Sequence, residues 1–143
     1  MNQTFSFGEL LISPLPGWLD VTKELHDEHA PFTLAQADGH GALQFSVATY
    51  KTGRIPDITI DALRKLLTDF GSTREFGCGF DIEVHEGPLL VCAESFTRGA
   101  QFARVWYCSD RRNIVLVTYF CEQGFESFEL PACEEIVAAL RFA

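Results

Sequence analysis

The chain has 143 residues, of which 47% are apolar and 13% aromatic, so it is long enough to bury a full core in one domain. Its net charge of −9 disfavours binding to nucleic acid or to anionic lipid, because both depend on clustered Lys and Arg.

The first third of the chain predicts strands separated by a firm turn. Alternating apolar residues predict an opening strand over Thr4–Ile12, and the prolines and glycine of Pro14-Leu15-Pro16-Gly17-Trp18 end it. We expect Trp18 to be buried where the chain turns back. A hairpin follows, with its two arms and its tip at Phe32–Ala37, Ala42–Thr52 and Asp38-Gly39-His40-Gly41.

The rest of the chain predicts two helices and four strands between them. Apolar spacings of three and four predict a helix over Thr59–Phe70, capped by Asp57 or Thr59 and ended by Gly71. A second helix is expected over Glu129–Leu140, with Pro131 in its first turn. The strands of the meander are Phe80–Glu86, Leu89–Thr97, Gln101–Cys108 and Ile114–Glu122.

These elements define the expected fold class. Their order is β-β-β-α-β-β-β-β-α, which indicates a single α+β domain over residues 1–143. We expect an antiparallel sheet of about six or seven strands with the two helices packed on it.

The residues that could carry chemistry do not form a recognisable site. Cys78 stands between two glycines, but a thiol nucleophile needs a base, and His85 lies along the next strand. His26 and His29 flank an acidic pair without a third metal ligand, which favours a solvated loop. We therefore expect no catalytic residue, no metal site and no cofactor. A small enzyme using Cys78 or a pair of His and acid is the alternative.

Two observations concern the compartment. The five cysteines have an odd total and no C-x-x-C pair, which favours free thiols over a disulfide framework. The N-terminus has no signal-peptide pattern, and no apolar run is long enough to span a bilayer. We expect a cytoplasmic protein that does not insert into membranes.

The distribution of charge favours either a basic protein partner or simply solubility. Residues 1–50 hold six acids and one base, and residues 113–143 hold five acids and one base. Tyr107 and Tyr119 are expected on a sheet face opposite Trp106 and Phe120, where they could anchor a partner. The acids expected around these tyrosines are Asp27, Glu28, Glu122 and Glu126, and Glu129 is counted among the solvated acids. A homodimer is a further alternative.

The strand that runs into Pro16-Gly17-Trp18, together with the order of the later elements, resembles the PsbP/Mog-type fold group. That group includes DcrB-like proteins and the Eag-type chaperones of type VI secretion. Gly41-Ala42-Leu43-Gln44-Phe45-Ser46, Arg104-Val105-Trp106-Tyr107 and Val115–Tyr119 are similar to segments of small bacterial proteins found beside polymorphic toxins.

This resemblance implies a protein that works by binding rather than by catalysis. The expected function is that of an immunity protein, which occludes a toxin. An Eag-like chaperone that shields the apolar helices of an effector is the alternative within the binding class. A domain with a small-molecule pocket is a third possibility.

Overall fold

The computed structural model describes residues 4–48 and 58–143. Within these ranges the chain forms a seven-stranded antiparallel sheet, a three-stranded antiparallel sheet, two α-helices and one short 3-10 helix, η1. The elements are β1 (Phe5–Phe7), β2 (Leu10–Ile12), β3 (Trp18–Asp20), η1 (Thr22–Leu25), β4 (Phe32–Gln36), β5 (Gly41–Ala48), α1 (Ile60–Thr73), β6 (Phe80–His85), β7 (Leu90–Arg98), β8 (Gln101–Ser109), β9 (Ile114–Glu122), α2 (Glu126–Ala138) and β10 (Arg141–Phe142).

The large sheet confirms the predicted α+β class. Its strand order is β3-β4-β5-β9-β8-β7-β6, so β6 to β9 form the predicted meander and β5 joins it at β9. The register pairs Gly41 with Cys121 and Phe45 with Val117.

The two helices cover opposite faces of this sheet. Leu63, Leu67 and Phe70 of α1 pack on the face that carries Val105. Cys133, Ile136 and Val137 of α2 pack with the small sheet on the face that carries Trp106. Since successive strand residues point to opposite faces, each helix fills one of two separate core layers.

The expected single strand over Thr4–Ile12 is wrong. The chain reverses at Gly8, whose φ of 62° is easy only for glycine, and forms a hairpin of two short strands, β1 and β2. β2 then pairs with β10 at the end of the chain, with Arg141 opposite Leu11. Trp18 begins the short strand β3 instead of lying only in a turn, and the prediction that it is buried is confirmed at 4% exposure.

The helix limits differ from those expected. Thr59 caps α1 by accepting a hydrogen bond from the backbone N–H of Ala62, as predicted, but Gly71 lies inside the helix. α2 begins at Glu126, so Pro131 lies within the helix and not in its first turn. Cys133, Ile136 and Val137 are buried and form an apolar stripe along one side of α2.

Two expectations fall outside the described residues. These are the extension of the second hairpin arm over residues 49–52 and the capping role of Asp57.

Candidate functional site

A buried carboxylate organises the tip of the β4–β5 hairpin. Glu129 is 1% exposed and lies in the first turns of α2. Its Oε1 atom accepts hydrogen bonds from the backbone N–H groups of His40 and Gly41, each at 2.9 Å, and from the hydroxyl of Tyr119 at 2.8 Å. The side chain therefore ties the hairpin tip and β9 to α2.

The second carboxylate oxygen extends this network towards the edge of the sheet. With its amide oriented to satisfy both neighbours, Gln36 donates to Oε2 of Glu129 at 3.1 Å and accepts from Nε1 of Trp18 at 3.2 Å. A Cβ atom at Gly39 would lie 2.5 Å from Oε2, so glycine is needed for this approach. Burial raises the pKa of Tyr119, and the hydrogen bond to Glu129 raises it further, so its hydroxyl stays a donor.

An exposed aromatic cluster stands on this support. The ring of His40 stacks on Phe125 at 4.6 Å between centroids and lies 5.1 Å from Phe128. Phe128 is 69% exposed, and Phe125 is 37% exposed. We call His40, Phe125 and Phe128 the aromatic corner. Large apolar side chains that are this exposed but held in place are typical of a contact surface.

Two of the predicted binding residues border the aromatic corner. Glu122 is exposed at the end of β9, and its carbonyl accepts a hydrogen bond from the backbone N–H of Phe125 at 3.1 Å. Glu126 opens α2, and its Oε2 accepts from the backbone N–H of Gly124 at 2.7 Å. The backbone of Glu122 thus lies beside Phe125, and the carboxylate of Glu126 stabilises the turn that leads into α2.

The expected arrangement of the two tyrosines is wrong. In the register of β8 and β9, Tyr119 pairs with Arg104 and Tyr107 pairs with Leu116, so the tyrosines lie on opposite faces. Tyr119 is completely buried and bonded to Glu129. Tyr107 is half-buried on the α1 side, where burial raises its pKa. Alternation along a strand predicts which residues of that strand share a face. Which residues of two neighbouring strands share a face depends on the register between the strands.

Asp27 and Glu28 are exposed but do not lie beside Glu122 and Glu126. They precede β4, whereas the aromatic corner lies beyond its other end, where Gly41 pairs with Cys121. Five residues of strand at about 3.3 Å each separate the two ends by roughly 16 Å. The expectation that all four acids surround one set of anchors is therefore wrong.

The groups considered for catalysis remain on the surface. Cys78 is an exposed free thiol, and the four other cysteines are buried and free, as expected. Nε2 of His85 lies 3.5 Å from Oε2 of Glu83, and the two side chains are 68% and 52% exposed. Among the described residues no cluster of three or more His, Cys, Asp or Glu side chains could hold a metal ion.

Sequence reasoning missed both Glu129 and the aromatic corner. Glu129 stands four residues before Cys133, on the side of α2 that carries the buried stripe, and this spacing was the available signal. The aromatic corner joins His40 to Phe125 and Phe128 from the far end of the chain, and no local pattern indicates that contact.

Comparisons with solved structures concern the fold. Cyanobacterial PsbP (CyanoP) from Synechocystis sp. PCC 6803 superposes with a TM-score of 0.67 at 7% identity, covering 99% of this chain and 92% of that one. A crystal structure from Bacteroides thetaiotaomicron VPI-5482 matches with a TM-score of 0.66 at 15% identity, covering 99% of this chain and 48% of that one. No protein-family model and no curated protein matches the chain. The chain therefore has a PsbP-like fold, which confirms the resemblance at the level of fold.

One further finding concerns membranes. Across residues 4–48 and 58–143, no helix is long and apolar enough to cross a bilayer.

Proposed function

We propose that this chain is a non-enzymatic binding protein that holds a basic protein domain at the aromatic corner. The observation that carries the proposal is the 69% exposure of Phe128 on α2, beside His40 at the tip of a hairpin that a buried carboxylate fixes. Interfaces of high affinity commonly place rigid aromatic anchors at the centre and charged groups at the rim. A preformed surface of this kind loses little conformational freedom on binding.

The net charge of −9 supports a basic partner. A surface of one sign accelerates association with a domain of the opposite sign, and salt reduces that acceleration. In its specific form, the proposal is that the chain acts in the cytoplasm as an immunity protein. It would neutralise a toxin by covering its basic catalytic domain.

The test begins by identifying the partner with immobilised protein in extracts of the native host. Phe128→Ala and Glu122→Lys should lose a basic protein that the unaltered chain retains. Leu25→Ala and Glu24→Lys are matched controls, because Leu25 is 42% exposed and both residues belong to η1, beyond the other end of β4. The partner must be retained by both controls.

Binding kinetics with the identified partner then test the mechanism. We expect Phe128→Ala to raise Kd by about tenfold or more through faster dissociation. Glu122→Lys should mainly slow association, and it should do so less at high salt. A partner whose association rate does not respond to salt would contradict the acidic mechanism and favour the chaperone alternative. Loss of toxicity when the two proteins are expressed together would support immunity, and undiminished toxicity would refute it.

A further inference from the structure

Within residues 4–48 and 58–143, no strand pairs with the outer edge of β6, and the apolar side chains of β6 are exposed. All six of its residues are exposed, and Phe80, Ile82 and Val84 are 43%, 56% and 42% exposed. In an edge strand, alternate residues turn their backbone N–H and C=O groups away from the sheet. β6 therefore offers main-chain hydrogen bonds and apolar contacts to another strand.

A cleft lies beside this edge, between β6 and α2. Its volume is about 290 Å³, which is enough for one long side chain. Ile82 and Leu130 form the apolar part of its wall. Arg104 forms its floor and is 2% exposed. Nε of Arg104 donates to Oε1 of Glu134 at 3.1 Å, and Nη1 donates to Oγ of Ser95 at 3.0 Å.

A β-bulge in β6 lies beside this cleft, and the acidic side chains around it make the cleft negative. Between Phe80 and Glu83 the register with β7 shifts, and Asp81 has a φ of 52°. The bulge turns the carbonyl of Asp81 towards Nη1 of Arg104, which occupies that acceptor. Arg104 forms ion pairs with Glu134 at 3.1 Å and with Glu83 at 3.8 Å, and with Asp81 the lining holds three carboxylates for one guanidinium, so it is negative.

The acidic residues of β6 disfavour a second copy of this chain, and favour a basic segment, as the strand that pairs with this edge. The strand and the following residue, Glu86, contain three acids and neither Lys nor Arg. In an antiparallel pair with a second copy, registers centred on Ile82 or Glu83 would set carboxylates directly opposite each other, which is destabilising. A segment carrying Lys or Arg places opposite charges there instead.

We propose that β6 binds an extended, basic segment of a partner protein by strand addition, with one Lys or Arg side chain seated in the cleft. The added strand pairs with the backbone of β6. The stem of its basic residue contacts Ile82 at the cleft, and its apolar residues contact Val84 on the opposite face of the sheet. This surface uses residues other than those of the aromatic corner, although both involve α2: the cleft is lined by Leu130 and Glu134, and the aromatic corner contains Phe128. The inference does not depend on the immunity function.

The test uses synthetic peptides of about eight residues that match the length of an ordinary strand. A peptide of alternating lysine and valine should shift the backbone amide resonances of residues 80–86 in the isotope-labelled protein. A matched peptide of alternating glutamate and valine should not. The lysine–valine peptide with alternate N-methyl groups, which removes the donors along one edge, should bind at least about tenfold more weakly.

Variants of the protein provide the complementary measurement. Ile82→Lys and Val84→Lys should each weaken binding of the lysine–valine peptide, and Leu19→Lys is the matched control. Leu19 lies on β3, the other edge of the sheet, and is 53% exposed. Circular dichroism spectra and melting close to those of the unaltered chain show that a variant is folded.

Three results would overturn the proposal. One is the absence of shifts in residues 80–86 with the lysine–valine peptide at millimolar concentration. Another is equal binding of the N-methylated peptide, which would show attraction by charge alone. The third is a dimer in sedimentation that Ile82→Lys dissociates, since the edge would then be occupied by a second copy of the chain.

Discussion

Glu129 is a buried carboxylate whose hydrogen-bond donors come from the β4–β5 hairpin, from β9 and from Gln36. Hydrogen bonds to a charged acceptor are short and strong, and without them a buried charge is strongly destabilising. The same contacts hold His40, and with it the aromatic corner, against α2. The stability of the fold and the shape of the candidate binding surface therefore depend on one side chain.

We predict that Glu129→Gln lowers the free energy of unfolding by about 2–4 kcal/mol. The amide keeps the size of the side chain, but its NH₂ group must face donors that now point at Oε1 or Oε2. Unfolding in urea measures the loss. Glu135→Gln is the matched control, because Glu135 is exposed on the same helix, and it should change stability by less than about 0.5 kcal/mol. Similar losses in both variants would contradict the role given to Glu129.

Residue type alone gives the wrong burial for single residues such as Glu129. Acids are usually exposed, so Glu129 and Glu122 look alike in the sequence, and only the position of Glu129 on the buried side of α2 separates them. Tyr119 was misplaced for a different reason, since its face depends on the register between strands. Burial of Trp18 could be predicted because the prolines and glycine around it fix the turn.

At the scale of elements, the contact of α1 with the sheet depends on a glycine. A Cβ atom at Gly71 would lie 2.5 Å from the carbonyl oxygen of Gly77 and 2.8 Å from Cε1 of Phe96. The carbonyl of Gly71 also accepts hydrogen bonds from the backbone N–H groups of Phe76 and Gly77, at 2.8 and 3.1 Å. The chain leaving α1 is therefore pressed against the helix, and its backbone cannot move away freely.

We predict that Gly71→Ala destabilises the protein by about 1–3 kcal/mol, although alanine favours helix by about 1 kcal/mol. Overpacking against a backbone atom should exceed the gain in propensity. Gly87→Ala is the control, because a Cβ atom there meets nothing within 4 Å. Urea unfolding of both variants decides the matter. If the Gly71→Ala protein is as stable as the Gly87→Ala protein, the loop after α1 moves to make room for the methyl group without lowering the free energy of unfolding.

Long elements were predictable and short ones were not. The four strands of the meander and the buried side of α1 could be predicted because their apolar residues repeat at regular spacings over many positions. β1, β2, β3 and β10 have two or three residues each and exist only because neighbouring backbone pairs with them. The start of α2 was not predicted because Pro is typical of a first helical turn, whereas the helix begins five residues before Pro131, at Glu126.

At the scale of the whole molecule, one sheet separates two core layers, and both contain buried free thiols. Cys92 lies in the layer under α1, and Cys108, Cys121 and Cys133 lie in the layer under α2. Burial raises the pKa of Cys108 from 9.0 to about 12, and burial also raises the pKa of Cys92, Cys121 and Cys133. The folded protein therefore keeps protons on these sulfur atoms at pH values where exposed thiols lose them.

This difference predicts alkaline destabilisation. Thiols of the unfolded chain titrate near 9.0, so the folded state binds more protons above that pH, and the free energy of unfolding then falls as pH rises. The contribution of the Cys108 thiol is intact below pH 9, and between pH 9 and about 12 it is lost at up to about 1.4 kcal/mol per pH unit. Urea unfolding between pH 7 and 10, with reductant present, measures the slope.

Cys108→Ala should make the slope above pH 9 shallower even if it lowers stability at pH 7. Cys78→Ala is the matched control, because that thiol is exposed. Equal slopes for Cys108→Ala and the unaltered chain would show that Cys108 titrates alike in the folded and unfolded states.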